Sequence, residues 1–117
     1  MSRRGRERAG RRAEALAALL LRLKGFRILA RRFACPVGEV NLIARRDDLV
    51  LFVEVKRRAS AAAALEAVSR RQQERIARAA AFFLQRQPQL AGLAQRFDLI
   101  AVVPWRWPLH LRDVWRP

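Results

Sequence analysis

An α/β sandwich, with a mixed central sheet flanked by helices, is the fold class that this 117-residue sequence predicts. Three observations carry that expectation. Residues 39–56 read as two short strands joined by a tight turn. Residues 50–55 are largely apolar on both of their alternating faces, which marks a strand covered on two sides. Two stretches of strong helix formers, residues 13–24 and 69–87, lie on either side of that hairpin in the chain. The order is helix, three strands, helix, then one or two strands.

The elements follow in turn. Residues 1–12 form a polar, arginine-rich N-terminal segment, frayed at its start and helical towards its end; residues 13–117 make a single domain. The first helix, 13–24, is stopped by Gly25, the residue type favoured just past a helix. Residues 26–33 are strand-like, and Pro36-Val37-Gly38 marks a turn. The hairpin that follows is centred on Asp47-Asp48, a residue type that tolerates the positive φ of short hairpin loops. That centre pairs positions whose numbers total 95, so Asn41 faces Glu54, Glu39 faces Lys56 and Ile43 faces Phe52. Side chains two apart on a strand share a face, so Glu39, Asn41, Glu54 and Lys56 gather on one patch beside Phe52 and Val50. A one-residue slip would send Asn41 to the opposite face. Residues 57–65 are a connection with basic residues and an alanine run. The second helix, 69–87, stops before Pro88. Residues 96–103 read as a strand, and 109–115 as a last one set off by Pro104 and Pro108.

Composition narrows the function classes. The chain has 25 Lys plus Arg against 10 Asp plus Glu, a formal net charge of +15. Such an excess points to a polyanionic partner, nucleic acid ahead of a membrane surface. All the cationic residues but Lys24 and Lys56 are arginine, which makes a lysine beside carboxylates the more telling. One cysteine, Cys35, and one histidine, His110, exclude an internal disulfide and a Cys/His metal set. Residues 13–23 are too short an apolar run to span a bilayer, and Glu14 breaks any signal-peptide pattern. A cytoplasmic protein is expected.

Few residues can carry chemistry. Glu54 and Lys56 are either a strand end meeting solvent or a carboxylate–ammonium pair suited to a metal-dependent nuclease. In such an enzyme carboxylates hold Mg²⁺, the metal polarises phosphate and water, and a lysine offsets charge in the transition state. Glu14 is the lone charge in an otherwise apolar helical stretch: either exposed, or buried and in need of a partner. Gln72 and Gln73 lie one turn before Ile76, and Gln72 also fits a capping box with Ser69. His110 reads as a core or surface histidine and Asp98 as strand-end structure. No Gly-rich phosphate loop and no Ser/His/Asp or Cys/His arrangement is present.

At these residues the chain resembles the YraN family of small bacterial proteins, also catalogued as UPF0102. Its members are similar to restriction-endonuclease-like domains of the PD-(D/E)XK superfamily, akin to the fold of archaeal Holliday junction resolvases. The matching pieces, over about residues 10–113, are Glu14-Ala15-Leu16-Ala17, Gly38-Glu39-Val40-Asn41-Leu42-Ile43-Ala44, Phe52-Val53-Glu54-Val55-Lys56-Arg57-Arg58, residues 68–80, and Arg96-Phe97-Asp98. The resemblance implies Glu14, Asn41, Glu54, Lys56 and Gln72 as the catalytic set. It implies Glu14, Asn41, Glu54 and Val55 as the positions holding Mg²⁺ or Mn²⁺. The chain departs from the family pattern at position 41, usually aspartate, at position 72, often lysine, and at Ala13, usually glycine. Asn41 removes a formal negative charge from a site meant for a divalent cation.

The sequence therefore predicts a nucleic-acid-binding, endonuclease-like protein, with DNA favoured over RNA and a homodimer compatible with the fold. Mg²⁺-dependent phosphodiester hydrolysis is implied by the resemblance and weakened by Asn41. A non-catalytic binding module of the same fold, or a protein-interaction adaptor, are the alternatives.

Overall fold

The computed structural model describes residues 2–117; Met1, part of the basic segment, lies outside them. Three layers are stacked. Helix α1 (Arg3–Leu23) covers one face of a five-stranded sheet; α2 (Ala61–Glu66) and α3 (Arg70–Gln85) cover the other. The strands are β1 (Arg27–Cys35), β2 (Gly38–Arg46), β3 (Leu49–Arg57), β4 (Ala94–Val102) and β5 (Leu109–Leu111), in spatial order β1-β2-β3-β4-β5. Only the β3–β4 pair is parallel, because only there does a helical crossover link the strands. The expected α/β sandwich and element order are what the chain adopts.

Helix α1 begins ten residues earlier than the pattern of apolar residues indicates. Ser2 accepts a hydrogen bond from the Gly5 backbone N–H at 3.0 Å and caps it. Its buried residues start only at Ala13, with Ala17, Ala18, Leu20 and Leu21 following at helical spacing. The arginine-rich half upstream is thus a helical arm with little core to hold it. At the other end Gly25, at φ +88°, reverses the chain into β1.

Hairpin β2–β3 has the anticipated register, from Arg46↔Leu49 to Leu42↔Val53, with Asp47 at φ +51° in the turn. Ile43 and Phe52 face α3, whereas Leu42 and Val53 face α1. Strand β1 is less regular. Ile28 pairs with Ala44 but Ala30 with Ile43, leaving Leu29 as an extra, bulged residue. Arg32 takes φ +49°, and the alternation of faces breaks there: Arg31 reaches Glu14 on α1, while Phe33 packs on Phe83 of α3 at 5.3 Å between ring centroids.

Helix α3 lies close over the start of β2. A Cβ built on Gly38 would sit 1.9 Å from the Arg75 carbonyl oxygen and 2.8 Å from its carbonyl carbon. Glycine at 38 therefore sets how near α3 comes to the sheet. Gly38→Ala is expected to destabilise the protein by about 1–3 kcal/mol through enforced displacement of α3, read as a lower urea midpoint. An unchanged midpoint would show that the helix is not held at that distance.

Candidate functional site

Past the Leu42↔Val53 pair, the link between β2 and β3 changes character. The Asn41 Oδ1 accepts a hydrogen bond from the Val55 backbone N–H at 2.8 Å. A side chain thus satisfies a main-chain donor that a longer ladder would have paired, and a cleft of ≈ 470 Å³ opens beside it. Its lining includes Arg32, Glu39, Asn41, Glu54, Val55, Lys56 and Gln72.

Glu54 is the centre of this cleft. Its position on β3 points it at α3 with Phe52, and only 5% of its surface remains accessible. Gln72 Nε2 donates to Glu54 Oε2 at 2.5 Å, and Lys56 Nζ lies 3.9 Å from the same oxygen. Burial pushes the Glu54 carboxyl up to about 7; Lys56 and the Asn41 main chain pull it down, and Glu39 adds to the rise. A carboxyl poised near neutrality in a cleft can exchange a proton at ordinary pH.

The sequence-predicted residues divide accordingly. Asn41, Glu54, Val55, Lys56 and Gln72 line one cleft. Glu14 does not line it: buried on α1, it is held by Arg31 Nε at 3.2 Å and Arg32 Nε at 3.7 Å. Arg32, which does line the cleft, is its only link there. Ser69 caps α3 by accepting from the Gln72 backbone N–H at 3.1 Å, but the Gln72 side chain goes to Glu54 instead of closing a capping box. Glu39 was expected to meet Lys56. It meets Arg75 of α3 at 3.8 Å instead, because Glu39 pairs across β1 and lies near the helix.

The donor set can be tested against the Mg²⁺ that the family resemblance implies. Mg²⁺ is held through one or two carboxylates together with substrate phosphates. Here the oxygens at hand are the carboxylates of Glu54, which meets Gln72, and of Glu39, which meets Arg75, and an Asn41 amide oxygen already engaged by Val55. An ammonium stands beside them. Among the described residues, no three His, Cys, Asp or Glu side chains are grouped to hold a metal. As arranged here, each carboxylate of the cleft is engaged by a protein cation or amide rather than left open to a metal.

A second groove, of ≈ 500 Å³, is lined by Arg6, Ala9, Gly10, Ala13, Val55, Lys56, Arg57 and Arg58. Val55 and Lys56 line both. The two depressions, one on the α1 side and one on the α3 side of the sheet, thus share the end of β3, and together they make up a trough with the arginine arm at one end and Glu54 at the other.

One polar cluster escaped the sequence reading. Asp98 is not at a strand end but fully buried within β4. Arg96 grips it with two hydrogen bonds of 2.9 Å, the Asp113 backbone N–H donates at 2.9 Å, and His110 Nε2 lies at 2.7 Å. Lys24 Nζ, which can only donate, is 2.8 Å from His110 Nδ1. His110 therefore carries its hydrogen on Nε2 and donates it to Asp98. The only signal in the sequence was Arg96 two residues from Asp98, a spacing that shares a strand face. Burial alone would raise the Asp98 carboxyl, but the bonds from His110, Arg96 and Asp113 outweigh it and hold it down at about 2.

Comparison with known proteins completes the picture. The sequence model of the uncharacterised protein family UPF0102 matches residues 13–102. A UPF0102 protein of Parvibaculum lavamentivorans is 54% identical over 110 residues, covering 94% of this chain and 83% of the relative. One from Chelativorans sp. is 54% identical over 115 residues, covering 98% and 93%. A UPF0102 protein of Brucella canis is 57% identical over 102 residues, covering 87% and 81%.

Glu54 and Asp98, both buried, predict opposite pH dependences. Glu54 keeps its proton in the fold after the unfolded chain has lost it, so stability falls as pH rises from about 4.5 to about 7. Glu54→Gln is expected to gain roughly 2–3 kcal/mol near pH 8 and nothing below about pH 4.5, measured by urea unfolding at each pH. Asp98 contributes stability above its usual range that is lost as pH falls towards 2. Asp98→Asn is expected to cost about 3–5 kcal/mol near neutrality. A Glu54→Gln gain that does not vary with pH would contradict the assigned role of burial.

Proposed function

The chain belongs to the uncharacterised family UPF0102, and from the geometry of its cleft we propose that it binds nucleic acid along the trough that ends at Glu54, and that it does so without resident metal. The observation that carries this reading is the continuity of positive charge. Arg6, Lys56, Arg57, Arg58 and Arg32 border two depressions that share Val55 and Lys56, in a chain of net charge +15. Guanidinium groups pair with phosphate oxygens by forked hydrogen bonds, and a row of them along a groove follows a phosphate backbone rather than a single anion.

Within the cleft, Lys56 meets a phosphate as a point charge, while Gln72 and Asn41 hold the Glu54 strand end in place. The hydrolytic chemistry implied by the family resemblance needs a divalent cation, and both carboxylates of the cleft, Glu54 and Glu39, are engaged by protein groups. Binding, not cleavage, is the activity this arrangement supports. DNA is the partner proposed first.

Titration of a labelled DNA duplex at two ionic strengths tests the reading. Affinity is expected to fall steeply with salt, to be lowered by added Mg²⁺ only as a competing counterion, and to be unchanged by chelator. Replacing Arg57 and Arg58 together by alanine is expected to lower the salt slope by about two phosphates' worth. Failure to bind at low salt would overturn the proposal. So would Mg²⁺- or Mn²⁺-dependent cleavage by the wild type that Glu54→Ala abolishes, since that would make the cleft an active site as it stands. Asn41→Asp, which restores the missing charge, is expected to make binding respond to Mg²⁺ beyond that competition.

A further inference from the structure

The loop between β4 and β5 holds a feature that neither the fold nor the cleft uses. Trp105 is 102% exposed and Trp107 56% exposed. Among the described residues the other aromatics, six phenylalanines and Trp115, are all buried or half-buried. A tryptophan ring left wholly in water forgoes a large burial free energy, so two of them flanking an exposed arginine, Arg106, require a partner or a cost without return.

The backbone holds them outward. The Arg106 N–H bonds to the Val103 carbonyl at 3.2 Å, closing a turn with Pro104 and Trp105 at its centre. Pro104 suits the second position of such a turn, and Trp105, at φ +65°, occupies the third, where glycine is the usual residue. A bulky side chain in that left-handed region is strained. The loop is anchored on both sides, by buried Val103 and Pro108. It is a rigid display of two rings.

Its location decides between partners. Arg57 pairs with Val102 across the parallel β3–β4 ladder, and three further residues, at most about 11 Å of chain, lead to Trp105. The loop therefore stands at the same end of the sheet as Lys56, Arg57 and Arg58. No acidic residue occurs in 99–112 or in 55–65, so the charges carried by these two segments are cationic. Aromatic faces beside a row of arginines match a strand that offers bases to stack and phosphates to pair. Bases inside a duplex have their faces covered by their neighbours; only unpaired ones are free to stack on a side chain.

We infer that Trp105 and Trp107 form a stacking platform for unpaired bases, so that the nucleic acid bound in the trough carries a single-stranded stretch. This rests on the nucleic-acid reading of the trough and names its substrate class. Arg106, between the rings, meets the backbone of the same strand.

The test is fluorescence anisotropy with a labelled single-stranded DNA and the duplex of the same sequence, for wild type, Trp105→Ala/Trp107→Ala and Trp105→Phe/Trp107→Phe. Size-exclusion chromatography is run on each. The double alanine variant is expected to lose about tenfold or more in affinity for the single strand and less than about twofold for the duplex, while the phenylalanine pair retains most of it. Trp105→Gly relieves the positive φ and is expected to melt no lower than wild type while still losing single-strand affinity, which separates a binding role from a structural one. Equal losses on both DNAs, or none on either, would overturn the platform and leave the trough intact. A change of oligomeric state with binding unchanged would assign the rings to a protein interface and overturn it as well. Wild type binding neither DNA would remove the trough and the platform together.

Discussion

Placing a carboxylate on the apolar face of a central strand is the constraint from which the rest of the site follows. Glu54 lies in the same row as Val50 and Phe52, under α3, and too little of it meets water to satisfy its charge. Its partners must come from the protein. Gln72 arrives from α3, Lys56 from two residues along the strand, and the Asn41 main chain from β2. Bringing Gln72 within reach needs α3 close to the sheet, which the missing side chain of Gly38 permits. Freeing Asn41 needs β2 and β3 to part after Leu42↔Val53. The cleft is the space that this parting leaves.

The molecule solves the same problem in two ways at two positions. Asp98 is buried as deeply as Glu54 but is met by an arginine fork, a histidine and a backbone N–H, and its carboxyl is held low. That cluster ties the end of α1, through Lys24, to β4 and β5. Glu54 has an amide and a more distant ammonium, and its carboxyl is raised. A charge fully compensated by the fold stabilises it, whereas one left partly uncompensated costs stability. The two lysines of the chain take part in these two clusters, one in each. An ammonium delivers three freely oriented donors to a small space that a planar guanidinium would not enter.

Positive charge is arranged by the same architecture. The arm of α1 upstream of Ala13 has few buried residues, and its Arg6 reaches the groove at the end of β3. The parallel β3–β4 pairing then places the Trp105–Trp107 turn next to Arg57 and Arg58. Loops following parallel strands emerge at one end of a sheet, which is why residues far apart in sequence come together there.

Much of this was legible in the sequence, because periodicity and turn chemistry act over a few residues. The sandwich, the element order, the Asp47 turn, the β2–β3 register and the shared face of Asn41 and Glu54 all follow from alternation and from residues that tolerate positive φ. Family membership, too, was readable from ordered short motifs. The pairings of the charged side chains were not. Glu14 is held by Arg31 and Arg32 because β1 breaks its alternation at Arg32, and nothing local announces a left-handed arginine. Glu39 turns to Arg75, Gln72 leaves its cap for Glu54, and Asp98 collects His110 and the Asp113 backbone, each across a contact that only folding creates. Local patterns determine which elements form and which faces they bury. Which partner a long polar side chain finds depends on how closely two layers approach, and that distance exists only in three dimensions.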